Sequence, residues 1–291
     1  MVFSWLAFQA AFGQGVLTPP GAPAPTMKTL DQLEPRTPVD AAHTPGVSGI
    51  QYFITQSGSY YLTTNIVGVS GDIGIYVSAN NVTLDLNGFS LLGSSGASFG
   101  ISLGGGFADM IVRNGNVSGW SVEPGIYNNA QRVTLENLHV SGNASGVYCP
   151  NSTLIRNCVV SGNLLNGITL GNNSTVSDCL VESNGYSGIA LALPGGGNVI
   201  TGNNICGNNT NNVIGEGGIR IGTANNRLEG NHITNTGAGG YGLYVTSTNN
   251  IIIRNSVEGS VANNYNISPG NDVGPIGNAA TNTSPWGNIS H

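Results

Sequence analysis

The sequence predicts an all-β chain wound into a right-handed, three-faced parallel β-helix of about eight coils, with an N-terminal and a C-terminal cap. A repeat is the first observation behind this. A Gly followed by an apolar residue recurs at Gly74-Ile75, Gly100-Ile101, Gly125-Ile126, Gly146-Val147, Gly167-Ile168, Gly188-Ile189, Gly218-Ile219 and Gly242-Leu243, in steps of 26, 25, 21, 21, 21, 30 and 24 residues. Local alternation is the second. Each site opens a three-residue in-out-in pattern such as IYV, VYC or ITL, the mark of a short strand with one buried face. Two further short strands follow in each repeat, for example VTLEN and LHVSGN. The third is composition: 45 Gly and 38 Asn among 291 residues, with only 8% charged residues, against about 25% in an average soluble domain. Gly and Asn are poor helix formers, which excludes a coiled coil or helical bundle.

Stacking gives this pattern its physical sense. A single coil cannot bury its own interior, whereas coils stacked about 4.8 Å apart bury a continuous column of Ile, Val and Leu. Eight coils would rise roughly 38 Å at that spacing. Gly and Asn are expected to supply left-handed, bent backbone at the corners, and Asn at equivalent corners to hydrogen-bond its neighbours as a ladder. A leucine-rich repeat lacks support, because the frame is not Leu-rich and no segment reads as a helix.

In chain order, residues 1–15 read as a signal peptide. The run VFSWLAFQAAF at 2–12 is apolar but too short to span a bilayer, and no basic segment precedes it. Residues 16–48 hold seven of the 13 prolines and the only lysine, Lys28, and read as an extended linker or strap. Residues 49–73 form the expected N-terminal cap and first strand, and 74–258 the β-helix. Residues 259–291 form a last partial coil and a C-terminal cap, with Trp286 packed on the final coils. Two insertions, Leu193–Gly197 and Cys206–Gly217, break the rhythm in the sixth coil and read as loops standing off its wall. A net charge of −6, from eight cations and fourteen anions, excludes a phosphate-tracking surface for nucleic acid.

Two outward columns carry the chemistry. The middle of the first strand reads Tyr76, Ser102, Tyr127, Tyr148, Thr169, Ala190, Arg220, Tyr244. Tyr127 and Tyr148 fall in adjacent coils and read either as an aromatic ladder or as a platform for sugar rings. The second strand gives Asp85, Arg113, Glu136, Arg156, Asp178, Thr201, Glu229, Arg254, with signs alternating through the first five. That column is either an exposed salt-bridge ladder or the wall of a groove. His43, His139, His232 and His291 fit no zinc spacing, and no calcium-binding loop motif is present, so no metal is expected. Cys149, Cys158, Cys179 and Cys206 form no CxxC pair. Cys158 and Cys179 share an inward column in adjacent coils, where parallel Cβ vectors suit free buried thiols better than a disulfide.

The coils resemble those of secreted proteins in the pectate-lyase-like superfamily. The stretch Asn81 to Phe89, NVTLDLNGF, is similar to the opening coil of its NosD-like members. The strap at 20–39, the segment ITQSGSYYLTTNI at 54–66 and the tail GPIGNAATNTSPWGNIS at 274–290 resemble a bacterial subgroup. This resemblance implies export, a secreted or cell-surface location, and a polysaccharide or cell-surface glycan as partner. It also implies lyase, hydrolase or epimerase chemistry on acidic polysaccharides, with Ca²⁺ as the cofactor many members use.

The motifs of that chemistry are missing: the lyase WxDH, the hydrolase NTD and GHG, the epimerase DPH, and any lysine within the coils. If a catalytic groove exists, Glu136 or Asp178 would be its acid and Arg156 its base or carboxylate anchor, with His139 three positions beyond Glu136. Tyr127, Tyr148 and Arg113 would bind substrate. A carboxylate between two cations suits anchoring better than proton donation. The leading expectation is therefore an exported, monomeric β-helix that binds or processes polysaccharide. A non-catalytic structural or adhesive surface protein is the alternative, and a phage-type tailspike trimer stands behind both.

Overall fold

The computed structural model describes residues 35–192, 194–234 and 236–291. The expected signal peptide and most of the strap lie outside the described residues. Every regular element among the described residues is a strand, and none of them forms a helix long and apolar enough to cross a membrane. One sheet of eleven strands makes the first face of the β-helix. It begins with an antiparallel pair, Pro45–Val47 on Ile50–Ile54, and continues in parallel through Ile73–Val77, Ile101–Leu103, Ile126–Asn128 and onward to Asn263–Ile267. The second and third faces merge into one sheet of twenty strands. They join because Ala108–Ser118 and Gln131–Ser141 run round the corner without a break.

Each face buries at least one residue per coil. On the first face Ile75, Ile101, Ile126, Val147, Ile168, Ile189, Ile219 and Leu243 are all buried, as the repeat predicts. Leu84, Val112, Leu135, Ile155, Val176, Ile200, Leu228 and Ile252 do the same on the second face, and Leu91 through Val257 on the third. Ten parallel strands stack on the first face rather than about eight. Tyr52 and Tyr265 take the inward position in the first and last coils, in register with Ile75 and Leu243. A Tyr suits an end coil because its ring packs on the core while its hydroxyl still reaches polar partners. The Tyr265 hydroxyl donates to the carbonyls of Asn255 (2.8 Å) and Ile289 (3.0 Å).

Segment 49–73, expected as a cap, therefore holds a coil of its own in Ile50–Ile54, Gly58–Tyr61 and Ile66–Val67. Thr37–Pro38 and Pro45–Val47 pair with its strands and cover that end. At the other end Asn288–Ser290 replaces the third strand by pairing with Ser256–Glu258.

The repeat glycines have a different role from the expected one. None of Gly146, Gly167 or Gly188 has a positive φ. At Gly167 a Cβ would sit 2.6 Å from the Gly188 carbonyl and 3.0 Å from Val181 Cγ1, so glycine is required by close approach of the next coil. The left-handed conformation lies at other corners, and one column of it runs between the second and third faces. This column reads Asn114, Asn137, Asn157, Asp178, Gly202, Gly230, Arg254, with φ between 52° and 66°. Asn and Gly adopt this conformation at least cost.

Asparagine also builds the interior corners. Asn143, Asn163, Asn184 and Asn208 are buried, and each of the first three donates its amide Nδ2 to the next Oδ1, at 3.1, 2.8 and 2.9 Å. A second ladder runs Asn198, Asn226, Asn250, Asn271 at 2.9, 2.8 and 2.9 Å. A third runs Asn203, Asn231, Asn255, Asn288 at 2.9, 2.9 and 3.2 Å. Each Oδ1 also accepts the backbone N–H of the preceding rung, as Asn231 does from Asn203 at 3.2 Å. The corner backbone, which bends away from sheet pairing, thus finds its acceptors inside the protein.

Candidate functional site

The charge column resolves into separate pairs. The register aligns Asp85 with Arg113, Arg113 with Glu136, and Glu136 with Arg156. Arg156 donates from Nε (2.9 Å) and Nη2 (2.6 Å) to one oxygen of Glu136. Arg113 turns the other way and donates from Nε to Asp85 at 3.1 Å, where Arg36 also approaches at 3.6 Å. No ion pair within 4.0 Å joins Arg113 to Glu136 among the described residues.

Asp178 is not in this column. Ser177 is the register partner of Arg156, and Asp178 occupies the left-handed corner at φ 53°. Arg254 is displaced in the same way, because Ile253 is the partner of Glu229. A slip of one residue in a strand reverses the side that a side chain faces. His139 is also separated from Glu136. The left-handed Asn137 lies between them, so His139 is exposed on the third face in register with Asn116 and Val159. There it lines a shallow groove of about 390 Å³ and makes no hydrogen bond to Glu136. Glu136, Arg156, Asp178 and His139 therefore do not converge, and no group of three metal-ligating side chains forms among the described residues. Arg156→Ala is expected to cost at most about 1 kcal/mol, because the Arg156 side chain is exposed to solvent; chemical denaturation of the two proteins measures it.

The tyrosines do come together. Tyr127 and Tyr148 lie in register on the outer side of the first face, with ring centroids 5.5 Å apart and planes inclined by only 14°. Phe99 extends the row, its centroid 4.9 Å from that of Tyr127. Its position immediately before Gly100 was the available sequence signal, since the strand proper begins at Ile101. Burial, with Tyr127 beside it, pushes the Tyr148 hydroxyl above its ordinary range.

Beyond Tyr148 the column sinks to Thr169 and Ala190, both buried, before rising again at Arg220. There the end of the second insertion contributes Glu216, which accepts from Ser187 Oγ at 2.6 Å and pairs with Arg220 at 3.3 Å. Sequence spacing gave no sign of this cluster, because Ser187 and Glu216 meet only when the insertion folds back.

All four cysteines are free: Cys149, Cys158 and Cys179 are buried and Cys206 is half-buried. Burial pushes the Cys149 thiol up to about 12, and the neighbouring Cys158 sulfur together with burial pushes Cys179 up as well. Neither environment generates a thiolate nucleophile.

Among solved structures the chain is similar to the enzymatically active domain of bacteriophage CBA120 tailspike protein 2, at 16% identity and a TM-score of 0.48, covering 78% of this chain and 42% of that one. It is similar to the A-module of an Azotobacter vinelandii mannuronan C-5 epimerase, at 17% identity and 0.47, covering 69% of each chain. An alginate lyase from Paenibacillus sp. aligns at 12% identity and 0.43, covering 82% of this chain and 98% of that one. The chain thus spans less than half of the first of these proteins. No match is found among curated proteins. The sequence profile described as a right handed beta helix region matches residues 48–205 and 124–280, most of the chain. The chain belongs to the right-handed β-helix family.

Proposed function

We propose that this is an exported, monomeric β-helix that binds an extended polysaccharide along its first face, over Phe99, Tyr127 and Tyr148. The stacked, half-buried pair Tyr127 and Tyr148 carries this reading. Two outward rings one coil apart make an apolar shelf parallel to the helix axis. Their spacing is comparable to the length of one sugar ring, and aromatic faces pack well against the C–H faces of pyranoses. The resemblance to pectate-lyase-like proteins favours an acidic glycan, and Arg220 lies three register steps beyond Tyr148 as a cation on the same column. Binding is favoured over turnover because Glu136 and Asp85 are each engaged by arginine rather than poised beside a free base. A non-catalytic adhesive role fits the same shelf.

Electrophoresis through gels cast with uronate or neutral polysaccharides tests this. The parent protein should be retarded by at least one polyuronate. The double variant Tyr127→Ala/Tyr148→Ala should run as in an empty gel, while losing only about 1 kcal/mol or less of stability from the aromatic pair. Equal migration of the two proteins in every gel would refute the shelf. Absorbance of unsaturated products and reducing ends, read on the same samples, show whether retention is accompanied by cleavage.

A further inference from the structure

On the second face of the C-terminal coils lies a shallow cleft of about 420 Å³, lined by Arg227, Ile251, Ile253, Asp272, Pro275 and Trp286, within the range usual for small-ligand sites. Its geometry follows from the coils. Arg227, Ile251 and Asp272 occupy one outward column in consecutive coils, so a cation and a carboxylate stand two steps apart with Ile251 between them. Two steps span roughly 9.6 Å. Trp286, half exposed, supplies the aromatic wall.

That wall is held from inside the protein. The third asparagine ladder ends at Asn288, whose Nδ2 donates to the carbonyls of Ile252 (3.0 Å) and Gly274 (2.9 Å). Asn282 ties Pro275 to Asn288. A Cβ at Gly274 would strike the Trp286 carbonyl, so the tail lies directly on the strand. Arg254 stacks over the Trp286 ring at 4.5 Å and donates to the Pro285 carbonyl at 2.9 Å. Arg254 and Arg227 both donate to Glu229, at 2.9 and 2.8 Å, and Arg227 foremost holds that carboxyl below its usual range. Asp272 has no ion pair among the described residues, so its carboxylate is available.

We infer that this cleft is a second saccharide site, independent of the first-face shelf, that takes a single neutral hexopyranose such as the terminal unit of a glycan. The ring's C–H face packs on Trp286 and Ile251. Asp272 accepts from hydroxyls at one end, and Arg227 donates to hydroxyl oxygens at the other. An aromatic plane flanked by an available carboxylate and a guanidinium held by Glu229 matches the alternating apolar face and hydroxyl rim of a pyranose. A charged ligand would meet a like charge at one end.

Saturation-transfer NMR with the methyl glycosides of glucose, galactose and mannose is the test. At least one should give a signal with the parent protein. Affinity should fall at least tenfold in Trp286→Ala and in Asp272→Asn, the latter retaining the tail's packing. Tyr127→Ala/Tyr148→Ala should bind the same glycoside as the parent does, which separates this site from the first-face shelf. No signal from any glycoside with the parent, or undiminished binding in both cleft variants, would overturn the inference.

Discussion

Asn231→Ala is expected to destabilise the protein by about 3–5 kcal/mol, although it removes no charge and no apolar surface. Asn231 lies buried in the third ladder. It accepts from the backbone N–H and the Nδ2 of Asn203, at 3.2 and 2.9 Å, and donates to the Ile200 carbonyl and to Asn255 Oδ1, at 2.8 and 2.9 Å. Truncation leaves the backbone N–H of Asn203 and one hydrogen of its Nδ2 without acceptors in a site closed to water, while Asn255 Oδ1 keeps only the backbone N–H of residue 231. Each such orphan costs about 1–3 kcal/mol, more than the net gain of making a single bond. Asn211→Ala is the control. Asn211 is exposed and makes one side-chain bond, to the Leu164 carbonyl at 3.0 Å, so its loss should stay within about 0.5 kcal/mol. Urea titrations of the three proteins, compared at their midpoints with unchanged slopes, measure both numbers. A difference below about 1 kcal/mol between Asn231→Ala and Asn211→Ala would show that the ladders contribute little.

Gly167→Ala should cost roughly 2–3 kcal/mol through overpacking. The added methyl meets the Gly188 carbonyl at 2.6 Å, Asn184 Nδ2 at 2.7 Å and Val181 Cγ1 at 3.0 Å. The carbonyl belongs to the next coil and cannot withdraw without opening the parallel pairing between Val147–Cys149, Ile168–Leu170 and Ile189–Leu191. The same substitution at Gly162, where φ is 60° and no atom lies within 4 Å of the added methyl, strains only the backbone and should cost about 1 kcal/mol. Thermal melts of both variants separate close approach from conformational freedom. Equal losses would contradict the packing explanation.

The legible part of the fold was the part in which one residue type recurs at one position. The Gly-apolar pairs led directly to the column from Ile75 to Leu243, because every coil between them solves the same packing problem. The end coils were read only as a cap with a first strand and as a last partial coil, since Tyr52 and Tyr265 replace the aliphatic residue and no glycine precedes them. The outward charges were half legible. Glu136 and Arg156 were placed correctly by counting back from the repeat. Asp178 was displaced by one position, because counting along the chain does not locate the left-handed residue that ends each second strand. The distinction matters chemically, since it puts Asp178 on a corner instead of beside Arg156. The tyrosine stack was readable from its 21-residue spacing. The Glu216–Arg220–Ser187 cluster and the Trp286 cleft were not, because both depend on a loop or tail folding back onto coils 20 to 60 residues away.

The most direct test of glycan binding on the first face is a crystal structure of the protein soaked with an oligosaccharide of whichever polymer retards it in the gel. Sugar density should run parallel to the helix axis, with rings packed on Tyr127 and Tyr148 and a carboxylate, in the case of a polyuronate, directed toward Arg220. Density confined to the second face over Arg113 and Arg156, with the tyrosine shelf bare, would contradict it.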